Sequence, residues 1–172
     1  MPPSTVENDS VFVPLPDVSI DHLSGFIEAL VHGDRQQKLS VLARRLLLDI
    51  DDLLPILDAV QLLEFALIND GNISATDAGR AFANGTIRER KQFFREQVLS
   101  CAPMITFIIR LLQQDADHEQ DADVFLKTLQ AVFPSAQANR QFATATNWGQ
   151  YAELFEYNAT TRRVRLEPIG LH

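Results

Sequence analysis

Between residues 65 and 75 the chain reads Phe65-Ala66-Leu67-Ile68-Asn69, then Asp70-Gly71, then Asn72-Ile73-Ser74-Ala75. An Asp-Gly pair between two short apolar runs is a strong hairpin signal, because the turn that follows strand twist needs positive φ at both central residues. The sequence before it is helical in pattern. Ser19 can cap a helix bearing Leu23, Phe26, Ile27, Leu30 and Val31 at helical spacing. After a polar break at Gly33 to Gln37, a second short helix is predicted from about Gln36 to Leu47, with Leu39, Leu42, Ala43 and Leu46 on one face. Asp49 or Asp51 caps a third, through about Leu63, with Leu53, Ile56, Leu57, Val60 and Leu63 inward. Pro55 predicts a slight kink in it, or a start nearer Asp51. After the hairpin, Thr76 caps a helix from Asp77 to Asn84 that closes at Gly85.

Three helices followed by a hairpin is the element order of a winged helix-turn-helix unit, and the order recurs. Thr86-x-x-Glu89 is a capping box that opens a long helix carrying Phe93, Phe94, Val98 and Leu99. Pro103 breaks or kinks it and leaves a further helix, Met104 to Gln113. A charged loop from Asp115 to Asp121 follows, then a helix capped by Asp121 and another opened by Pro134-Ser135. Leu154 to Tyr157 and Arg163 to Leu166 alternate apolar and polar residues around a turn at Asn158 to Thr161, a second hairpin. The fold class expected is mainly α with small β-hairpins, in tandem winged helix-turn-helix-like units. The predicted divisions are a disordered, linker-like lead-in at 1–16 and a first unit at 17–85. A long helix with the second unit follows at 86–167, and a tail at 168–172.

The formal charge is −8. An acidic chain repels phosphate backbones and anionic headgroups, which disfavours nucleic acid and membrane as default partners. Cys101 is the one cysteine, so no intramolecular disulfide and no cysteine-built zinc site are expected. The polar first ten residues do not read as a secretion signal. The longest dense apolar stretch, Met104 to Leu112, falls well short of the about 20 residues a spanning helix needs. The location expected is cytoplasmic.

Five segments, in order, resemble the AAA-associated C-terminal domain: "PLPDVSIDHLSGFIEAL", "DIDDLLPILDAVQLLEFALI", "ISATDAGRAFA", "RERKQFFREQ" and "NWGQYAELFEYN". Together they span residues 14 to 166. That family is appended to ATPase subunits of ABC importers of the nitrate, sulfonate and taurine type. The resemblance implies a regulatory domain on the cytoplasmic side, and no catalytic residues to carry over. The sequence holds no Gly-x-x-x-x-Gly-Lys-[Ser/Thr] phosphate loop of its own. It therefore reads as a free-standing relative or as a fragment, with an ATPase as partner.

Two groups of cations stand out as candidate partner-binding residues. Arg88, Lys91 and Arg95 recur on one helix face, either as a solvated face with local ion pairs or as a docking surface for an ATPase or a second protomer. Arg162, Arg163 and Arg165 sit on the second hairpin, where they either block edge pairing or grip an acidic protein surface or phosphate. Trp148 and Tyr151 flank Gly149 and read as ring packing at a helix end, or as a pocket closing on a small anion. The helix in the DNA-reading position of the first unit carries Asp49, Asp51, Asp52, Asp58 and Glu64 and no cation, which opposes phosphate approach. The alternating acids from Asp115 to Asp123 lack the glycine and closing Glu of a calcium loop. No nucleophile, acid–base pair, metal set or cofactor motif emerges. The sequence thus points to a non-catalytic interaction module, with a homodimer and a transporter-associated position on the inner membrane as further expectations. The alternative is a transcriptional regulator that binds DNA through the second wing.

Overall fold

The structure, a computed structural model, describes residues 13–168. These form two units, Pro16–Gln97 and, in the other, residues 13–15 with 98–168. Among the described residues the protein is mainly helical, with eight helices and two three-stranded antiparallel sheets.

The unit Pro16–Gln97 begins with α1 (Ile20–Val31), capped by the Ser19 hydroxyl, which accepts from the His22 amide at 3.2 Å. Its buried stripe is Leu23, Phe26, Ile27 and Leu30. Then come β1 (Gln37–Lys38), α2 (Leu39–Arg45) and α3 (Ile50–Leu62). The Asp49 carboxylate accepts the Asp52 amide at 3.0 Å, so α3 starts at Ile50 and keeps Pro55 inside it. The hairpin pairs β2 (Ala66–Asn69) with β3 (Asn72–Ala75), and Asp70 and Gly71 have φ of 51° and 76°. Both central residues are left-handed, as the Asp-Gly signal required. α4 (Asp77–Asn84), capped by Thr76, follows, then the start of α5 (Ile87–Cys101). The capping box forms in both directions, Thr86 amide to Glu89 carboxylate at 2.7 Å and Glu89 amide to Thr86 hydroxyl at 3.3 Å.

The second helix is shorter than its pattern predicts, because Gln37 and Lys38 leave it to pair with Ile73 and Asn72 on the free edge of β3. Gln37 is buried, and its amide nitrogen donates to the Leu30 and Asp34 carbonyls at 3.0 and 3.2 Å. Arg45 in turn donates to the Gln37 side-chain oxygen at 3.2 Å and the Ala29 carbonyl at 3.1 Å. The polar break after α1 is thus a hydrogen-bonded seam that satisfies the last carbonyls of the helix. Arg90 makes a second seam: it pairs with Glu28, donates to the Ala83 and Gly85 carbonyls, and lies 5.7 Å from the centre of the Phe82 ring. α4 packs so closely on Phe65 that a Cβ at Gly79 would sit 2.1 Å from the Phe65 carbonyl oxygen.

The other unit repeats the order. α6 (Pro103–Gln114) has Pro103 at its first helical positions, where a missing amide is harmless. β4 (Glu119–Asp121) stands where a charged loop was predicted; it pairs with β6 (Arg163–Leu166) in the register Glu119↔Arg165 and Asp121↔Arg163. α7 (Ala122–Gln130), capped by Asp121, and α8 (Ser135–Tyr151) follow, and β5 (Phe155–Asn158) completes the sheet. Its core centres on Trp148, Phe125 and Phe155, all fully buried. Phe142 stacks 6.2 Å from Phe125 and meets Tyr157 edge-on at 5.1 Å.

The expected lead-in, residues 1–16, lies outside the described residues up to residue 12, as does the tail from residue 169 on. Within the lead-in, Leu15 is buried, its amide donates to the Gln141 side-chain oxygen at 2.7 Å, and the Gln141 amide donates back to the Leu15 carbonyl at 2.9 Å. Gln141 therefore holds residue 15 as a neighbouring strand would.

Candidate functional site

The two groups of candidate cations meet different surroundings. On α5, Arg88 is exposed while Lys91 and Arg95 are half-buried. Ile87, beside Arg88, is 81% exposed, so this end of the helix offers an apolar side chain flanked by charge. Phe94 is fully buried and Phe93 only partly, which splits the adjacent rings between core and surface. On the second hairpin, every arginine has a carboxylate. Arg163 and Arg165 share Glu119 at 3.0 and 3.2 Å, across the β4–β6 pairing, and Arg162 reaches Asp123 at 2.6 Å. The two guanidinium groups hold the Glu119 carboxyl below its ordinary range, the Arg163 hydrogen bond most strongly. Glu119, from the stretch that reads as a charged loop, and Asp123 in the first turn of α7 are thus the counterions of the second hairpin.

At the end of α8, Trp148 is a core ring with no exposure and Tyr151 is half-buried. Gly149 lets the chain fold back there, since a Cβ would fall 2.1 Å from the Phe155 ring. The hollow at this end, about 330 Å³, is lined by Gln150, Glu153, Glu156 and Glu167. Burial and the neighbouring Glu156 and Glu153 push the Glu167 carboxyl up. Such a lining repels anions. Cys101 is half-buried rather than in the core. Among the described residues no group of His, Cys, Asp and Glu is placed to hold a metal ion, and no helix is long and apolar enough to cross a membrane.

A larger concavity, about 730 Å³, lies wholly within the unit Pro16–Gln97. Its walls come from the segment before α1, from α1 itself, from the end of α2 and from the first turns of α3. Val18, Phe26 and Ile56 are buried and Leu46, Leu48 and Pro55 partly so, which makes the floor apolar. Asp17, Asp21, Asp51 and Asp52 are exposed around it, and no Lys or Arg is among its described lining residues. Asp51 and Asp52 are legible in the sequence as acids on an amphipathic helix. Their juxtaposition with Asp17 and Asp21 arises only when α1 and α3 pack. Leu47, 92% exposed in the left-handed region at φ 56°, lies between two lining residues.

The family model described as the C-terminal AAA-associated domain matches residues 40–158. The chain belongs to that family. The match begins in α2 and ends at the last residue of β5, so the AAA-associated domain includes elements of both units. No curated protein and no solved structure matches the chain. Membership suggests association with an AAA-type ATPase, and an accessory rather than a catalytic part in it.

Proposed function

We propose that this AAA-associated domain is a non-catalytic regulatory and interaction module for the ATPase of an ABC-type importer of small anions, of the nitrate, sulfonate or taurine class. The observation that carries this reading is the family match across both units. The narrower assignment comes from what the five-segment resemblance implies, that this family is appended to ATPase subunits of such importers. On this reading the protein works in the cytoplasm, peripheral to the inner membrane through the transporter. Each unit serves as a winged helix: helix, short strand, two helices and hairpin follow in that order in both, with the short strand on the outer edge of the hairpin. The scaffold is turned to protein contacts because its first unit is acidic where a DNA reader would be basic. Ile87 beside Arg88 is the natural seat of a homodimer contact.

DNA binding through the second wing draws little support, since Arg162 is engaged by Asp123 and Arg163 and Arg165 by Glu119, which leaves one positive charge in excess. Co-expression with an importer ATPase subunit of the same organism tests the leading reading. A stable complex on size exclusion, with an altered rate of ATP hydrolysis, is expected. An ATPase that elutes alone and hydrolyses ATP at its unassisted rate overturns it.

A further inference from the structure

Gly25 lines the acidic groove from the middle of α1. Glycine in a helix interior is destabilising relative to alanine, so a helical glycine calls for a reason. Packing supplies none: a Cβ built on Gly25 meets no atom within 4 Å, and its φ is not in the left-handed region. Gly79 and Gly149, by contrast, are each forced by an atom 2.1 Å from the missing Cβ. The space beside Gly25 is left open by the fold, on the face where Val18, Phe26, Pro55 and Ile56 form an apolar floor.

Charge says what such a space accepts. Acids in the first turns of α1 and α3 favour those helix termini, which accounts for Asp21, Asp51 and Asp52 one at a time. It does not account for Asp17, which precedes α1, nor for the apolar floor between the carboxylates. In a two-fold contact a second copy would set these four carboxylates against their own equivalents. A basic segment would be drawn in. We infer that this groove is the docking site for a cationic amphipathic helix or strand of the partner ATPase. An apolar side chain would fill the space over Gly25, and flanking Lys or Arg residues would meet Asp17, Asp21, Asp51 and Asp52. The inference rests on the reading of the protein as an ATPase-binding module and names the surface used.

The probe is a fluorescent synthetic peptide of leucine and lysine with an amphipathic pattern, titrated into the full chain and followed by anisotropy. Binding is expected, weakening as salt is added. Gly25→Trp fills the groove without touching its charge, and should abolish binding while raising or preserving the melting temperature. The combined Asp17→Asn, Asp21→Asn, Asp51→Asn and Asp52→Asn variant should weaken binding by about tenfold or more, as loss of several close charge contacts does. A control that removes as many charges elsewhere, Asp58→Asn, Asp77→Asn, Glu96→Gln and Glu156→Gln, should leave affinity within about twofold. Equal loss in the two charge variants, undiminished binding to Gly25→Trp, or no binding at all overturns the inference. So does self-association that disappears in Gly25→Trp, which would assign the groove to a second copy. Co-expression with the ATPase separates the two claims. A complex that persists in Gly25→Trp removes the groove and keeps the partner; peptide binding without any ATPase complex does the reverse.

Discussion

In the unit Pro16–Gln97, two pairs of aspartates, Asp17 with Asp21 and Asp51 with Asp52, converge from two parts of the sequence around an apolar groove and stay exposed. In the other unit, three nearly consecutive arginines draw the eye in the sequence and are ion-paired in the fold, one with Asp123 and two with a shared Glu119. Both units share one order of elements, so the difference is not architectural. It lies in what the short first strand brings to the hairpin. β4 carries Glu119 to the second hairpin, opposite Arg165; β1 carries the buried Gln37 and the exposed Lys38 to the first. A run of like charges says little about function until the residues across the sheet are known, whereas scattered charges can be assembled into a surface by helix packing.

The largest contrast expected between the units concerns their tight glycines. In Gly79→Ala the new methyl meets a backbone carbonyl, and in Gly149→Ala it meets a phenyl ring. A ring can tilt; a carbonyl held in the sheet and turn cannot move without shifting β2. Gly79→Ala should therefore cost about 3 kcal/mol, at the upper end of overpacking effects, and Gly149→Ala about 2 kcal/mol. Urea midpoints at unchanged slope measure both. Equal costs would mean that Phe155 is as immobile as the backbone.

Much of this contrast was visible beforehand, and some was not. The helical stripes, the caps at Ser19, Thr76 and Thr86, and the Asp70-Gly71 turn depend on residues a few positions apart, and all of them appear as the pattern implies. β1 and β4 are two and three residues long, too short for any periodicity, and exist because β3 and β6 each have a second edge to fill. Arg90 and Gln141 bind backbone atoms that folding brings to them, and neither has a signature in its neighbours. Gly25 did carry a signal, a glycine inside a helical pattern, but only the empty space around it shows that the fold does not require it.

Gln141 gives the next effect. Truncation to Ala leaves the Leu15 amide and carbonyl unpaired beside a buried side chain, at a cost of about 2 kcal/mol. Amide exchange at Leu15 should speed up in Gln141→Ala while that of Phe82, in the other unit, stays near wild type. Speeding of both would show that the two units unfold as one. A smaller loss, about 1 kcal/mol, is expected of Thr86→Ala, which removes the hydroxyl from the α5 capping box.

The smallest effects are the sharpest, because their signs are opposed at two neighbouring elements, Glu119 in β4 and Glu167 just past β6. Glu119 is held low by hydrogen bonds from Arg163 and Arg165, and Glu167 is pushed up by burial and by Glu156. A carboxyl lowered in the folded state contributes stability above its ordinary value of 4.5, and that contribution is lost as pH falls through the folded value. For a raised carboxyl the contribution is present below 4.5 and lost as pH rises through the folded value. Glu119→Gln should thus lower the melting temperature at neutral pH and match wild type in strong acid. Glu167→Gln should raise it at neutral pH, and the gain should also vanish in acid. Each variant removes one negative charge from a chain at −8. If general repulsion governed these sites, both would stabilise at neutral pH. Opposite signs require that the immediate surroundings decide, arginines beside Glu119 and burial with neighbouring carboxylates at Glu167, the same condition that separates the ion-paired second hairpin from the open acidic groove.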